Sequence, residues 1–162
     1  MSDAIQPIAV IDIDGVVADV RHRLRFVEST PKDWDRFFAA ATDDAPLDAG
    51  INRVTQLAAD HQIIFVTGRP ERCRRDTEKW LTDAGIGGWP VVMRSNNDRR
   101  PARQTKLAEI RKLASTAPIA VVVDDDPQVC AALSAAGFPV EHAQWMVRAD
   151  SLQRAQEKDG RT

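Results

Sequence analysis

The sequence predicts a three-layer α/β sandwich built on a mainly parallel sheet. Short apolar runs alternate with stretches of helical periodicity. The apolar runs are continuous rather than alternating, as in strands buried on both faces. Each run is followed by polar residues that bear chemistry, where ligands bind in open parallel sheets.

The first strand is Ile8-Ala9-Val10-Ile11, ending at Asp12. The second is Gln62-Ile63-Ile64-Phe65-Val66, ending at Thr67-Gly68. Pro90-Val91-Val92-Met93 is the third, and Ile119-Ala120-Val121-Val122-Val123 the fourth, ending at Asp124. Phe138-Pro139-Val140-Glu141 reads as an edge strand, because Pro139 cannot donate to a ladder. Four helical faces lie between them. They are Ile51, Val54, Leu57 and Ala58; Cys73, Thr77, Trp80, Leu81 and Ala84; Leu107, Ile110, Leu113 and Ala114; and Val129, Ala132 and Leu133. Gly85 and Gly137 stand where C-caps belong.

About 50 residues separate the first two strands, more than one crossover needs. Within them Thr30-Pro31-Lys32-Asp33 reads as a helix start, with Thr30 as N-cap and Pro31 at the first helical position. That helix carries Trp34, Phe37 and Phe38. The expected organisation is one domain over residues 1–150 with a small flap around 16–46, then a polar tail over 151–162 that frays.

Composition bounds the partners. The chain has 162 residues and a formal charge of −2, which excludes a bulk basic footprint for nucleic acid. No apolar run reaches the roughly 20 residues of a membrane helix, and the N-terminus lacks the pattern of a secretory signal. A cytoplasmic location is expected, with no membrane partner. Cys73 and Cys130 have no metal-ligand spacing and are expected as free thiols.

The strand ends point to phosphoryl chemistry. Asp12, Asp14, Asp124 and Asp125 fall on one rim, and carboxylates crowded together repel unless a cation joins them. Oxygen ligands suit Mg²⁺. His22, His61 and His142 are scattered and near no cysteine, which argues against zinc. A carboxylate beside Mg²⁺ can attack phosphorus, and a second one can protonate the leaving oxygen and later activate water. Asp12 and Asp14 could supply both roles. Thr67, the Gly68 N–H and Lys106 could meet the phosphate oxygens.

Asp12-Ile13-Asp14-Gly15-Val16-Val17 resembles the first motif of the haloacid dehalogenase superfamily of phosphotransferases. Thr67, Lys106 and Asp124-Asp125 resemble its second, third and fourth motifs. Val66-Thr67-Gly68-Arg69, Trp80-Leu81, Met93-Arg94, Asp98-Arg99-Arg100-Pro101 and Asp124-Asp125-Asp126-Pro127 further resemble the phosphatase domain of polynucleotide kinases.

The resemblance implies removal of 3′-phosphates from nucleic acid ends or nucleotides. Asp12 would be the nucleophile and Asp14 the acid–base. Thr67, Gly68, Arg69 and Lys106 would hold the phosphate, with Arg94, Asp98 and Arg100 towards the rest of the substrate. Asp12, the Asp14 carbonyl, Asp124 and Asp125 would hold Mg²⁺. No Gly-x-x-x-x-Gly-Lys-(Ser/Thr) occurs, so no accompanying kinase domain is expected. The resemblance implies a separate kinase or ligase as a partner. Asp126 stands where some relatives carry a basic residue. The first motif also looks like that of deoxyribonucleotide 5′-phosphatases, which keeps a nucleotidase open.

A signalling receiver domain gathers similar groups around Mg²⁺, but in another chain order. Here the Asp-x-Asp comes first and the acidic triplet last. Arginine outnumbers lysine 17 to 5, and 11 of the 17 arginines lie downstream of the first three strands. They are expected to form a basic collar for an extended anionic substrate. Trp34, Phe37 and Phe38 are read as core, with base stacking as the other use of those rings.

Overall fold

The computed structural model describes residues 4–162. Its central sheet has five strands, all parallel, in the order β5-β4-β1-β6-β7. These are β1 (Ile8–Ile11), β4 (Gln62–Pro70), β5 (Val91–Arg94), β6 (Ile119–Asp124) and β7 (Val140–His142). β1 is the middle strand, so whatever follows Ile11 enters the centre of the carboxyl edge. The Asp12 N–H continues the ladder by donating to the Val123 carbonyl at 3.0 Å.

Both faces of β1 are buried, as the unbroken apolar run requires. Ala9 and Ile11, with Ile63 and Phe65, pack against Val54 and Leu57 of α3 (Asp48–Leu57) and Trp80 and Leu81 of α4 (Arg74–Asp83). Ile8 and Val10, with Ile64 and Val122, pack against Ile110 of α5 (Ala102–Ala114) and Val129 and Leu133 of α6 (Pro127–Ala135). The result is helix, sheet, helix, as expected from the sequence.

The insertion between β1 and α3 closes on itself. Its base is a two-stranded antiparallel pair, β2 (Ala18–Asp19) with β3 (Ala45–Pro46). Between them lie α1 (Arg25–Glu28) and α2 (Trp34–Ala39). Val20, Leu24, Val27, Phe37 and Phe38 form a small third core with Met146 and Leu152.

The structure differs from the sequence reading at four places. The second strand runs on through Thr67-Gly68-Arg69 to Pro70, so these residues lie within β4 rather than after it. The third and fifth strands begin one and two residues later than read, at Val91 and Val140. The flap helix starts at Trp34, not Pro31. Asp33 is its N-cap and accepts from the Arg36 N–H at 3.0 Å. The tail over 151–162 does not fray. Asp150–Glu157 form α7, and Leu152, Ala155, Gln156 and Thr162 are buried. Its polar sequence hid an amphipathic helix whose few apolar residues close the flap core.

Candidate active site

The site grows from the turn after β1. Gly15 has φ +81°, and a Cβ there would collide with the Asp125 carboxylate, so only glycine fits. Val16, Val17 and Ala18 donate back to the Ile13 carbonyl at 3.0–3.2 Å, which fixes the loop. Asp12 and Asp14 are thereby held with both carboxyls buried and pointed to different partners.

Asp14 faces two guanidiniums. Its Oδ1 accepts from Arg23 Nη2 at 2.9 Å and from Arg69 Nη2 at 2.7 Å. Burial opposes its charge, but Arg23 and Arg69 outweigh burial and hold its pKa far below the usual carboxylate range. Both arginines also grip Asp44, which is buried at the end of the flap. Arg23 Nε lies 2.9 Å from Asp44 Oδ1 and Arg69 Nη2 lies 3.0 Å from Oδ2. The Arg23 guanidinium also lies over the Phe37 ring, 4.4 Å from its centroid.

Asp12 faces Lys106. The Lys106 Nζ lies 3.0 Å from Asp12 Oδ1 and 2.6 Å from Asp124 Oδ2. Burial opposes the ammonium, but Asp12 and Asp124 outweigh burial and raise its pKa, so Lys106 stays charged. Burial, then the Asp124 charge, pushes the Asp12 carboxyl well above its ordinary value, against the pull of Lys106. Burial likewise raises Asp125 to about 6, against the pull of Arg148, which pairs with its Oδ2.

Asp12, Asp124 and Asp125 each offer a carboxylate oxygen, all within 4.8 Å of one another. Among the described residues, Asp12 Oδ2 and Asp125 Oδ1 are buried with no hydrogen-bond partner. Buried anionic oxygens without donors are what a hard divalent cation satisfies, so the residues fit Mg²⁺. The Asp14 carboxyl is turned away from this cluster towards Arg23 and Arg69. Asp126 lies outside this three-carboxylate cluster, although its Oδ2 is also buried without a hydrogen-bond partner. It is the N-cap of α6 and accepts from the Gln128 N–H at 2.9 Å, which explains an aspartate ahead of Pro127.

A cavity of about 250 Å³ opens beside Lys106, lined by Thr67, Met93, Arg94, Asp98, Arg100 and Thr105 among others. Thr67 is buried, and its hydroxyl accepts from the Arg69 N–H at 3.2 Å. Arg94 does not reach outwards as the collar reading had it. It is buried and donates to the Gly68 carbonyl at 3.1 Å and the Arg100 carbonyl at 2.7 Å. Asp98 and Arg100 sit at the mouth and pair with each other at 2.7 Å. Other collar members are also engaged: Arg21 with Asp19, Arg74 with Glu71 and Glu78, and Arg103 with Glu157. The basic collar is thus largely self-neutralised.

Thr162 covers the Gly68 backbone so closely that a Cβ on Gly68 would strike it. Its hydroxyl donates to Asp14 Oδ2 at 3.1 Å. The oxygen of Asp14 not held by arginine therefore already accepts from a hydroxyl.

The structure brings together Asp12, Asp14, Thr67, Gly68, Arg69, Lys106, Asp124 and Asp125. The sequence reading did not single out four further residues of the site. Arg23 was one arginine among many in the collar. Asp44, Arg148 and Thr162 carry no motif and are recruited from distant parts of the chain.

The family model for the phosphatase domain of polynucleotide kinase PNKP matches residues 6–144. The chain belongs to that family, within the haloacid dehalogenase superfamily of phosphatases. No curated protein matches it at a significant level. Among solved structures, a chain of the Pnkp1/Rnl/Hen1 RNA repair complex superposes with TM-score 0.71 at 16% identity, covering 88% of this chain and 43% of that one. A second structure of a Pnkp1/Rnl/Hen1 complex gives TM-score 0.70 at 19% identity, covering 87% and 47%. This chain thus spans under half the length of those two relatives. A haloacid dehalogenase-like hydrolase from Streptococcus pneumoniae gives TM-score 0.63 at 10% identity, covering 94% and 91%. These likenesses establish the fold of the phosphatase domain. Among the described residues no helix is long and apolar enough to cross a membrane.

Proposed function

We propose that this phosphatase domain is a Mg²⁺-dependent phosphomonoesterase that removes 3′-phosphates from nucleic acid ends through an aspartyl-phosphate. The observation that carries the mechanism is the division of labour between two buried carboxylates two residues apart. Asp12 Oδ2 is free and lies in the acidic cluster, whereas Asp14 Oδ2 already meets a hydroxyl.

Asp12 Oδ2 attacks phosphorus, and the bond from phosphorus to the alcohol oxygen breaks. Asp14 gives its proton to that oxygen as it leaves. Water then attacks the phosphorus of the aspartyl-phosphate. Its proton passes to Asp14 Oδ2, Asp12 regains its carboxylate and inorganic phosphate departs. Two guanidiniums keep Asp14 ionised in the free protein, which suits it as a base. An arriving phosphate competes for Arg23 and Arg69 and adds negative charge nearby. Both effects raise Asp14 towards protonation, as its acid role requires. Lys106 anchors Asp12 and offsets charge on the transferred group. Asp12, Asp124 and Asp125, with the Asp14 carbonyl, would hold Mg²⁺, which supplies charge neutralisation for the transferred phosphoryl.

The flap is small and none of its residues lines the cavity beside Lys106, which favours a polymer end over an enclosed mononucleotide. The family match and the likeness to a chain of an RNA repair complex support the same substrate class.

Phosphate release from matched 3′- and 5′-phosphorylated oligonucleotides and nucleotides tests this reading. The 3′-phosphate is expected to be preferred, EDTA to abolish turnover and Mg²⁺ to restore it. Apparent Mg²⁺ affinity is expected to fall as the pH drops below about 6, because Asp125 then takes up a proton that competes with the cation. Preference for 5′-nucleoside monophosphates would overturn the substrate, and full activity in chelator would overturn the metal.

On this reading Thr162, over Gly68 and against Asp14, stands in the path of the phosphate. Deleting residues 160–162 is therefore expected to lower KM several-fold with little change in kcat. Steady-state kinetics on one phosphoester check this, and an unchanged KM would show that the segment does not compete with substrate.

A further inference from the structure

The three aromatic residues of the flap part company in the structure. Phe37 and Phe38 are buried, but Trp34 is only half-buried, at the first turn of α2. Its indole lines a groove of about 410 Å³ with Pro31, Lys32, Asp33, Asp35, Arg72 and Arg161. Two cations lie over the ring. The Arg161 guanidinium is 5.1 Å from its centroid and the Lys32 Nζ 5.9 Å. Of the two acids of the groove, Asp33 caps α2, and Asp35 is exposed and lies 3.9 Å from Arg72 within the groove.

The chain itself measures the distance from this groove to the phosphate site. Arg161 lies on the indole, and the next residue, Thr162, touches Asp14 and covers Gly68. Adjacent Cα atoms are about 3.8 Å apart, so one residue and one extended side chain join the two places. That span matches the reach from a terminal phosphate to the first or second base of a strand. A planar guanidinium on an indole occupies the face that a nucleobase would take.

We infer that Trp34 is a stacking platform for one of the last two bases of a 3′-phosphorylated strand, and that Arg161 covers this face until the strand arrives. The inference rests on the nucleic-acid reading of the substrate. Lys32 and Arg72 are exposed in the same groove, and backbone phosphates of the strand would compete with their present partners, Asp159 at 2.5 Å and Asp35 at 3.9 Å.

The test compares kcat/KM for a 3′-phosphorylated oligonucleotide with that for the same oligonucleotide made abasic at its last two positions. The wild-type chain is expected to prefer the base-bearing strand about tenfold, mainly through KM. Trp34→Leu keeps apolar packing against Phe37 and Phe38 and is expected to bring the ratio near one. Trp34→Phe retains a ring and is expected to restore most of the preference. Equal rates for the two strands in the wild-type chain, a measurement that needs no variant, would overturn the platform alone. An undiminished preference in Trp34→Leu would do the same. Failure to turn over either strand while a small phosphoester is hydrolysed would overturn the nucleic-acid reading, and the platform with it.

Discussion

Asp12→Asn is expected to lower turnover by about four orders of magnitude or more with every phosphoester, while the protein stays folded. The amide keeps the size of the carboxyl but loses the charge that attacks phosphorus. It also relieves an unfavourable burial, since Asp12 is a carboxylate crowded by Asp124 and Asp125. Stability in urea should therefore hold or rise while phosphate release disappears. A variant that retains a tenth of wild-type turnover would remove Asp12 from the reaction.

The largest effect on stability is expected at Asp44. Its buried carboxylate joins His22, Arg23 and Arg69, and its carbonyl accepts from Trp80 Nε1 at 2.8 Å. Asp44→Ala would leave two buried guanidiniums with Asp14 as their one shared carboxylate, and Arg23 Nη1 already lacks a partner among the described residues. Breaking a buried pair in this way costs about 3–5 kcal/mol. For a chain of this size that is a fall in Tm of roughly ten degrees. Asp44→Asn, which keeps two polar atoms in place, should lose less. Urea unfolding decides the matter, and a loss under about 1 kcal/mol for the alanine variant would mean that Asp44 does not hold the flap to the site.

The sheet and its carboxyl rim were legible because their signals are local. Ile8–Ile11 and Ile119–Val123 are unbroken apolar runs, the first buried throughout and the second towards its carboxyl end, and each is followed by an aspartate. Asp12, Asp14, Thr67, Lys106, Asp124 and Asp125 could be read because the topology brings successive strand ends to one edge. The groups that tune them were not legible. Asp44 reaches Arg23 and Arg69 only after the flap folds back through the β2–β3 pair. Arg148 and Thr162 arrive with the C-terminal segment, whose polar composition reads as solvated until its few apolar residues meet the flap core. Arg94 lines the cavity as a charged residue near the site should, but its Nε and Nη1 also hold the Gly68 and Arg100 carbonyls. Side chains that hold backbone leave no periodic trace in a sequence.

The central claim is that phosphorus passes through Asp12 while Asp14 only moves protons. Quenching the enzyme during turnover of a 3′-phosphorylated oligonucleotide, reducing with borohydride and mapping peptides by mass spectrometry reads this directly, since an acyl phosphate is reduced to an alcohol. The account predicts homoserine at position 12, with Asp14 unchanged and the signal absent without Mg²⁺. Homoserine at position 14 would contradict it.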